Sequence, residues 1–191
     1  MDLPILTTPL NASLNNPTTE SMLCTENWMA FSVNSPMQVD KGRYLVATYI
    51  SINGGGSLSI APGVVMKFAS GTGVVVNAGG SFSSEGTKAA PVVLTRQNPT
   101  PGYWSGITVA SNSNLNRIEH TNMSFAGGSL NGIAAAVKLE CNPTGMLYIA
   151  NSMIEDSVGW GVVSTNADGC AVEFGENVLF NQNRSGDIGV Q

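Results

Sequence analysis

The stretch Gly55-Gly56-Ser57-Leu58-Ser59-Ile60-Ala61-Pro62-Gly63 returns further along the chain as Gly79-Gly80-Ser81-Phe82-Ser83-Ser84-Glu85-Gly86. A repeat of that length, built of short β-rich runs and glycine turns with no helical run between them, marks a solenoid whose units stack to bury a shared core. Further short runs follow, among them Val64-Val65-Met66-Lys67-Phe68, Val74-Val75-Val76, Val92-Val93-Leu94-Thr95 and Gly106-Ile107-Thr108-Val109. Strands this short, with tight turns between them, suit a coil that bends three times per turn better than the longer hairpins of a sandwich.

The repeat continues through a Gly-aliphatic signature, Gly106-Ile107, Gly132-Ile133, Gly161-Val162 and Gly189-Val190, whose members are almost evenly spaced. It predicts one inward stack of Val75, Ile107, Ile133, Val162 and Val190. Asn122-Met123, Ser152-Met153 and Asn177-Val178 form a second row, which predicts Met123, Met153 and Val178 in the core and a side-chain ladder of Asn122, Ser152 and Asn177. Ala134 to Glu140 has a helix-like composition, but its place straight after Gly132-Ile133 makes it a strand. Residues 1–40, broken by Pro4, Pro9, Pro17 and Pro36, read as an irregular N-terminal lead-in or cap, and residues 41–191 as the solenoid.

Composition narrows the function classes. Charged residues make up 11% of the 191, where about 25% is ordinary. The polarity comes from 22 glycines and many Asn, Ser and Thr, so the surface is built of hydroxyl and amide groups. A formal net charge of −5 with 8 Lys and Arg, none clustered, leaves no basic stripe for nucleic acid or an anionic membrane. No run approaches the roughly 20 apolar residues of a membrane span, and Leu3-Pro4-Ile5-Leu6 lacks the basic flank and the length of a signal peptide. The expectation is no membrane insertion, and a secreted, periplasmic or cell-surface protein in mature or trimmed form.

The series Leu58-Ser59-Ile60-Ala61-Pro62-Gly63-Val64-Val65-Met66-Lys67-Phe68, then Gly80-Ser81-Phe82 with Gly86-Thr87, Pro101-Gly102-Tyr103-Trp104-Ser105-Gly106-Ile107 and Asn116-Arg117-Ile118-Glu119-His120, resembles the parallel β-helix domains of bacterial secreted and surface proteins in the pectate-lyase-like group. The resemblance covers about residues 38–191. It implies an all-β, single-stranded right-handed parallel β-helix of about five or six coils. It implies no single function, because the group includes lyases, hydrolases and adhesins.

Enzymes of that group keep their chemistry on the outer face of one sheet, as Asp/Glu ligands for Ca²⁺ with a basic proton acceptor or as clustered aspartates. The catalytic candidates this leaves are Glu155-Asp156, the only adjacent acidic pair, with Asp187 and the single histidine, His120. His120 reads either as a charge-coupled base or as a turn residue. Asn166-Ala167-Asp168-Gly169 reads as a solvated loop in which Asp168 is the one candidate ligand for Ca²⁺. Tyr103, Trp104 and Trp160 precede Gly106 and Gly161; they form a stacking platform for sugar rings if exposed, and otherwise cover a glycine or fill a corner.

Cys141 and Cys170 are separated by the same interval as Ile133 and Val162. Equivalent points of neighbouring coils lie about 4.8 Å apart, inside the disulfide window of about 4.4–6.8 Å. A disulfide and a pair of packed thiols both stay open, and Cys24 has no partner in phase. The last coil runs through Val178-Leu179-Phe180 to Ile188-Gly189-Val190-Gln191 without a covering segment. That predicts a longer natural chain or end-to-end self-association through Leu179, Phe180 and Ile188.

Two functions compete. The first is a non-catalytic extracellular module for surface adhesion, polysaccharide binding or spacing, with a polysaccharide or cell-surface glycan as partner. The second is a polysaccharide lyase or glycoside hydrolase. The first leads because no catalytic constellation assembles from the sequence, and the Thr-x-Thr rows of an ice-binding face are absent.

Overall fold

The repeated phrase is a pair of stacked strands. The computed structural model sets Ser57, Leu58, Ser59 and Ile60 in register beside Ser81, Phe82, Ser83 and Ser84. Side chains alternate across a strand, so Leu58, Ile60 and Phe82 are buried while Ser57, Ser59, Ser81 and Ser83 face outward, half-buried. Ser84 is the inward exception; its hydroxyl bonds the buried Thr121 hydroxyl at 2.7 Å, which satisfies both groups.

The structure describes residues 26–28, 31–97, 103–128, 132–140, 145–165 and 171–190. These form twenty strands and no helix. The first coil is β1 (Glu26–Trp28), β2 (Phe31–Val33) and β3 (Pro36–Val39), and the second β4 (Arg43–Val46), β5 (Ile50–Ile52) and β6 (Ser57–Ile60). The third is β7 (Val65–Phe68), β8 (Gly73–Val76) and β9 (Ser81–Glu85), and the fourth β10 (Val92–Arg96), β11 (Gly106–Val109) and β12 (Asn116–Glu119). The fifth is β13 (Thr121–Ser124), β14 (Ala135–Leu139) and β15 (Met146–Ala150), and the sixth β16 (Met153–Glu155), β17 (Trp160–Ser164) and β18 (Ala171–Phe174). β19 (Leu179–Asn181) and β20 (Gly186–Val190) begin a seventh.

The first strand of every coil joins one sheet, the second a second sheet and the third a third sheet, so the sheets hold seven, seven and six strands. Each strand pairs in parallel with its counterparts in the coils before and after, as in β4 beside β7 and β7 beside β10. The molecule is a right-handed parallel β-helix, the hand that parallel crossovers take. Strands β1 to β3 already belong to it, so the helix starts well before residue 41 and the described coils number six and a part. The first coil escapes a sequence reading because its repeat is shorter than the founding one: Glu26 already pairs with Tyr44, and Phe31 with Ile50.

The Gly-aliphatic signature is real but its phase differs from the sequence reading. In the second sheet the aligned stack is Val74, Ile107, Val137, Val162 and Ile188. Val75 faces the other way beside Thr108, Ile133 lies outside any strand, and Val190 pairs with Ser164. Small residues precede Val74, Ile107, Val137 and Val162 because backbones crowd there: a β-carbon on Gly73 would lie 2.7 Å from the Gly106 carbonyl oxygen, and one on Gly161 2.7 Å from that of Asp187. Ala136 takes that place before Val137, which a search for glycine misses.

In the first sheet Met123 pairs with Ile154, and Ile154 with Phe180, so Met153 faces outward and Ile154 fills the core. A slip of one residue exchanges the faces of a strand. The amide ladder also sits elsewhere. Asn53 Nδ2 donates to Asn34 Oδ1 and Asn77 Nδ2 to Asn53 Oδ1, both at 2.9 Å, while Asn177 donates to Asn151 at 3.1 Å. Ser152 does bond backbone as expected, accepting from Thr121 N at 3.0 Å and donating to Ala150 O at 2.7 Å.

Two columns of left-handed residues turn the corners beside the first sheet. His120, Asn151 and Asn177 (φ 45, 48 and 54°) precede it; Phe125, Asp156 and Gln182 (φ 59, 52 and 52°) follow it. The amides of His120 and Phe125 bond the Ala150 and Glu155 carbonyls of the next coil, at 3.2 Å each. His, Asn and Asp are the side chains that tolerate this conformation best. Phe125 is the costly member, and the Arg96 guanidinium, 3.7 Å from its ring centroid, lies over it.

Candidate functional site

The outward positions of the third sheet align along the coil axis. Register places Gln38, Ser59, Ser83, Arg117, Tyr148 and Glu173 in one column. Beside it runs a shorter column of Ser57 and Ser81, with Met146 further along the same face. At the end of the strands Glu85 stands opposite Glu119. An open groove of about 530 Å³ lies over this face, and Leu115, 66% exposed, forms part of its lining.

Short contacts hold the groove together. Ser83 Oγ donates to Ser59 Oγ at 3.1 Å. Arg117 reaches Glu119 at 3.6 Å with both side chains solvated, a pair worth about 0–1 kcal/mol. The Arg117 guanidinium also sits 5.0 Å from the centre of the Tyr148 ring, and its buried Nε has no hydrogen-bond partner. Hydroxyls, a guanidinium and a phenol ring in register can exchange hydrogen bonds with a hydroxyl-rich ligand. Glu85, Glu119 and Glu173 against Arg117 make the face net negative.

The aromatic candidates divide. Trp104 is fully buried and stacks on Phe68 with centroids 4.1 Å apart and rings 11° from parallel. Its indole N–H donates to the Ser124 carbonyl at 2.9 Å. It is a core residue and no platform for sugars: a large apolar ring that finds both a stacking partner and an acceptor inside the coil gains more there than in water. Trp160 is half-buried over Gly186 and Gly189, whose added β-carbons would each meet its ring at 2.8 Å. Tyr103 is half-buried, its ring 6.4 Å from that of Phe125.

The acidic candidates lie away from the groove. Glu155 is on the outer face of the first sheet, where Asn181 Nδ2 donates to it at 3.4 Å. Asp156 and His120 are corner residues held by the left-handed backbone. Asp187, in β20, accepts from Asn183 Nδ2 at 3.4 Å. Asp168, Cys141 and Cys170, and with them the Ca²⁺ and disulfide expectations, lie outside the described residues, as does Cys24. Among the described residues no three His, Cys, Asp or Glu side chains converge on a point that a metal ion would fit. Leu179 and Ile188 are exposed at the last coil while Phe180 packs against the core.

The groove residues Ser59, Ser83, Arg117, Tyr148 and Glu173 are missing from the sequence reading. The one signal for them was the outward alternation Ser-Leu-Ser-Ile and Ser-Phe-Ser-Ser in the founding repeat. No curated protein and no solved structure matches the chain. The stacked parallel sheets agree instead with a family model, the pectate-lyase-like β-helix domain, which matches residues 32–136, more than half of the sequence, and the chain belongs to that family.

Proposed function

We propose that the chain is a non-catalytic extracellular β-helix module that binds polysaccharide along the outer face of its third sheet. One observation carries this reading: Ser59, Ser83, Arg117 and Tyr148 repeat hydrogen-bonding groups on successive coils beneath an open groove. A polysaccharide is itself a row of like units, so a row of like positions matches it unit by unit. The parallel ladder fixes these groups before any ligand arrives, which lowers the ordering cost of binding. A surface of hydroxyls and amides with few charges suits a protein outside the cell. Affinity electrophoresis through gels containing different soluble polysaccharides tests the reading. Retardation by at least one, without release of reducing ends or unsaturated products, supports it; free migration through all of them leaves only a spacer.

A glycoside hydrolase or lyase is the second reading. Glu85 beside Glu119 on neighbouring strands favours it, because a pair of nearby carboxylates is the tool of glycoside hydrolysis. Release of reducing ends that Glu85→Gln and Glu119→Gln each abolish would put an enzyme in place of the binding module.

A further inference from the structure

We infer that the groove over the third sheet takes an uncharged polysaccharide laid along the coil axis and turns acidic chains away. The inference rests on the binding reading above and narrows it to a substrate class. The lining comes from β6, β9, β12, β15 and β18, five successive strands at about 4.8 Å, so the groove runs roughly 20 Å along the axis. An extended pyranose chain advances about one ring per coil on that spacing. The floor over β6 and β9 is Ser57, Ser59, Ser81 and Ser83, all uncharged.

Charge decides between neutral and acidic chains. Glu85 and Glu173 line the groove, and Glu119 occupies the one guanidinium, at 3.6 Å from Arg117. A uronate chain would bring a further carboxylate to almost every coil of a face where three carboxylates already outnumber Arg117, inside a molecule of formal net charge −5. A neutral ring adds no charge. The Arg117 side chain is 43% exposed, so its outer N–H groups can donate to a ligand hydroxyl or ring oxygen without any counter-charge being displaced.

Calorimetric titration at low salt tests this with hexamers of glucose, xylose and mannose against a hexamer of galacturonate. At least one neutral hexamer should bind about tenfold tighter than the acidic one, and the gap should narrow as salt screens the carboxylates. Glu85→Gln with Glu173→Gln should raise the affinity for hexagalacturonate severalfold. Ser83→Tyr fills the floor from an outward position, so it should abolish binding while circular dichroism shows the fold intact. Tighter binding of hexagalacturonate overturns the selectivity and leaves the binding module standing. Binding of none of the four overturns both, and neutral binding that survives Ser83→Tyr removes the groove as its site.

Discussion

Gly106 and Gly132 each precede an isoleucine, and both are left-handed, with φ of 86 and 101°. Their surroundings differ. A β-carbon on Gly132 would meet nothing within 4 Å, whereas on Gly106 it would run into the Ala136 carbonyl oxygen and lie 2.9 Å from that of Ala135. In Gly132→Ala only the left-handed conformation opposes the change, at about 1–2 kcal/mol, and a stiffer unfolded chain offsets about 0.4–1 kcal/mol of it. Gly106→Ala carries the same penalty and also forces β11 away from β14. Losing two ladder hydrogen bonds at about 1 kcal/mol each, with the packing of Ile107 on Val137 loosened, brings the total to about 3–5 kcal/mol. In urea, with a slope of about 2–3 kcal/mol per molar, the midpoint should fall by about 1–2.5 M for Gly106→Ala and by less than about 0.8 M for Gly132→Ala. Equal shifts, or the larger one at Gly132, would refute the placing of Gly106 inside a tight stack and Gly132 outside it.

Two further outcomes follow from packing. Trp104→Ala should cost about 3–5 kcal/mol in denaturant unfolding, and Trp104→Phe clearly less, because the phenyl ring keeps the stack on Phe68 and loses the bond to Ser124 and only part of the buried ring; equal losses would remove the stacking argument. Asn53→Ala breaks the bonds to Asn34 and Asn77 at once, so about 1–2 kcal/mol and a fall of about 2–8 °C in Tm should be seen by calorimetry, and an unchanged Tm would make the ladder ornamental.

The founding repeat was legible because no insertion separates β6 from β9: Ser57 to Ser81 and Leu58 to Phe82 are the same step, and the matching phrases sit at matching offsets. Elsewhere the corners vary. The step from Val74 to Ile107 is clearly longer than the one from Val137 to Val162, so fixed intervals lose phase and glycines in turns pass for glycines in the stack. Ala136 shows why, since crowding demands a small residue there and not glycine as such. Trp104 was ambiguous for another reason: its partner Phe68 lies a full coil earlier, and nothing local to Tyr103-Trp104-Ser105 reveals it. The groove was illegible because its column, Ser59, Ser83, Arg117, Tyr148 and Glu173, advances by unequal steps and mixes side-chain types. Only the register unites them.

Backbone amide shifts, followed as a neutral hexasaccharide is titrated into the isotope-labelled protein, show whether the groove over the third sheet holds the sugar. Saturable shifts should concentrate on β6, β9, β12 and β15, strongest around Ser59, Ser83, Arg117 and Tyr148, with the outer faces of the first and second sheets silent. Shifts centred on Glu155, Asp156 and Asp187, or no shifts with any neutral sugar, would contradict it.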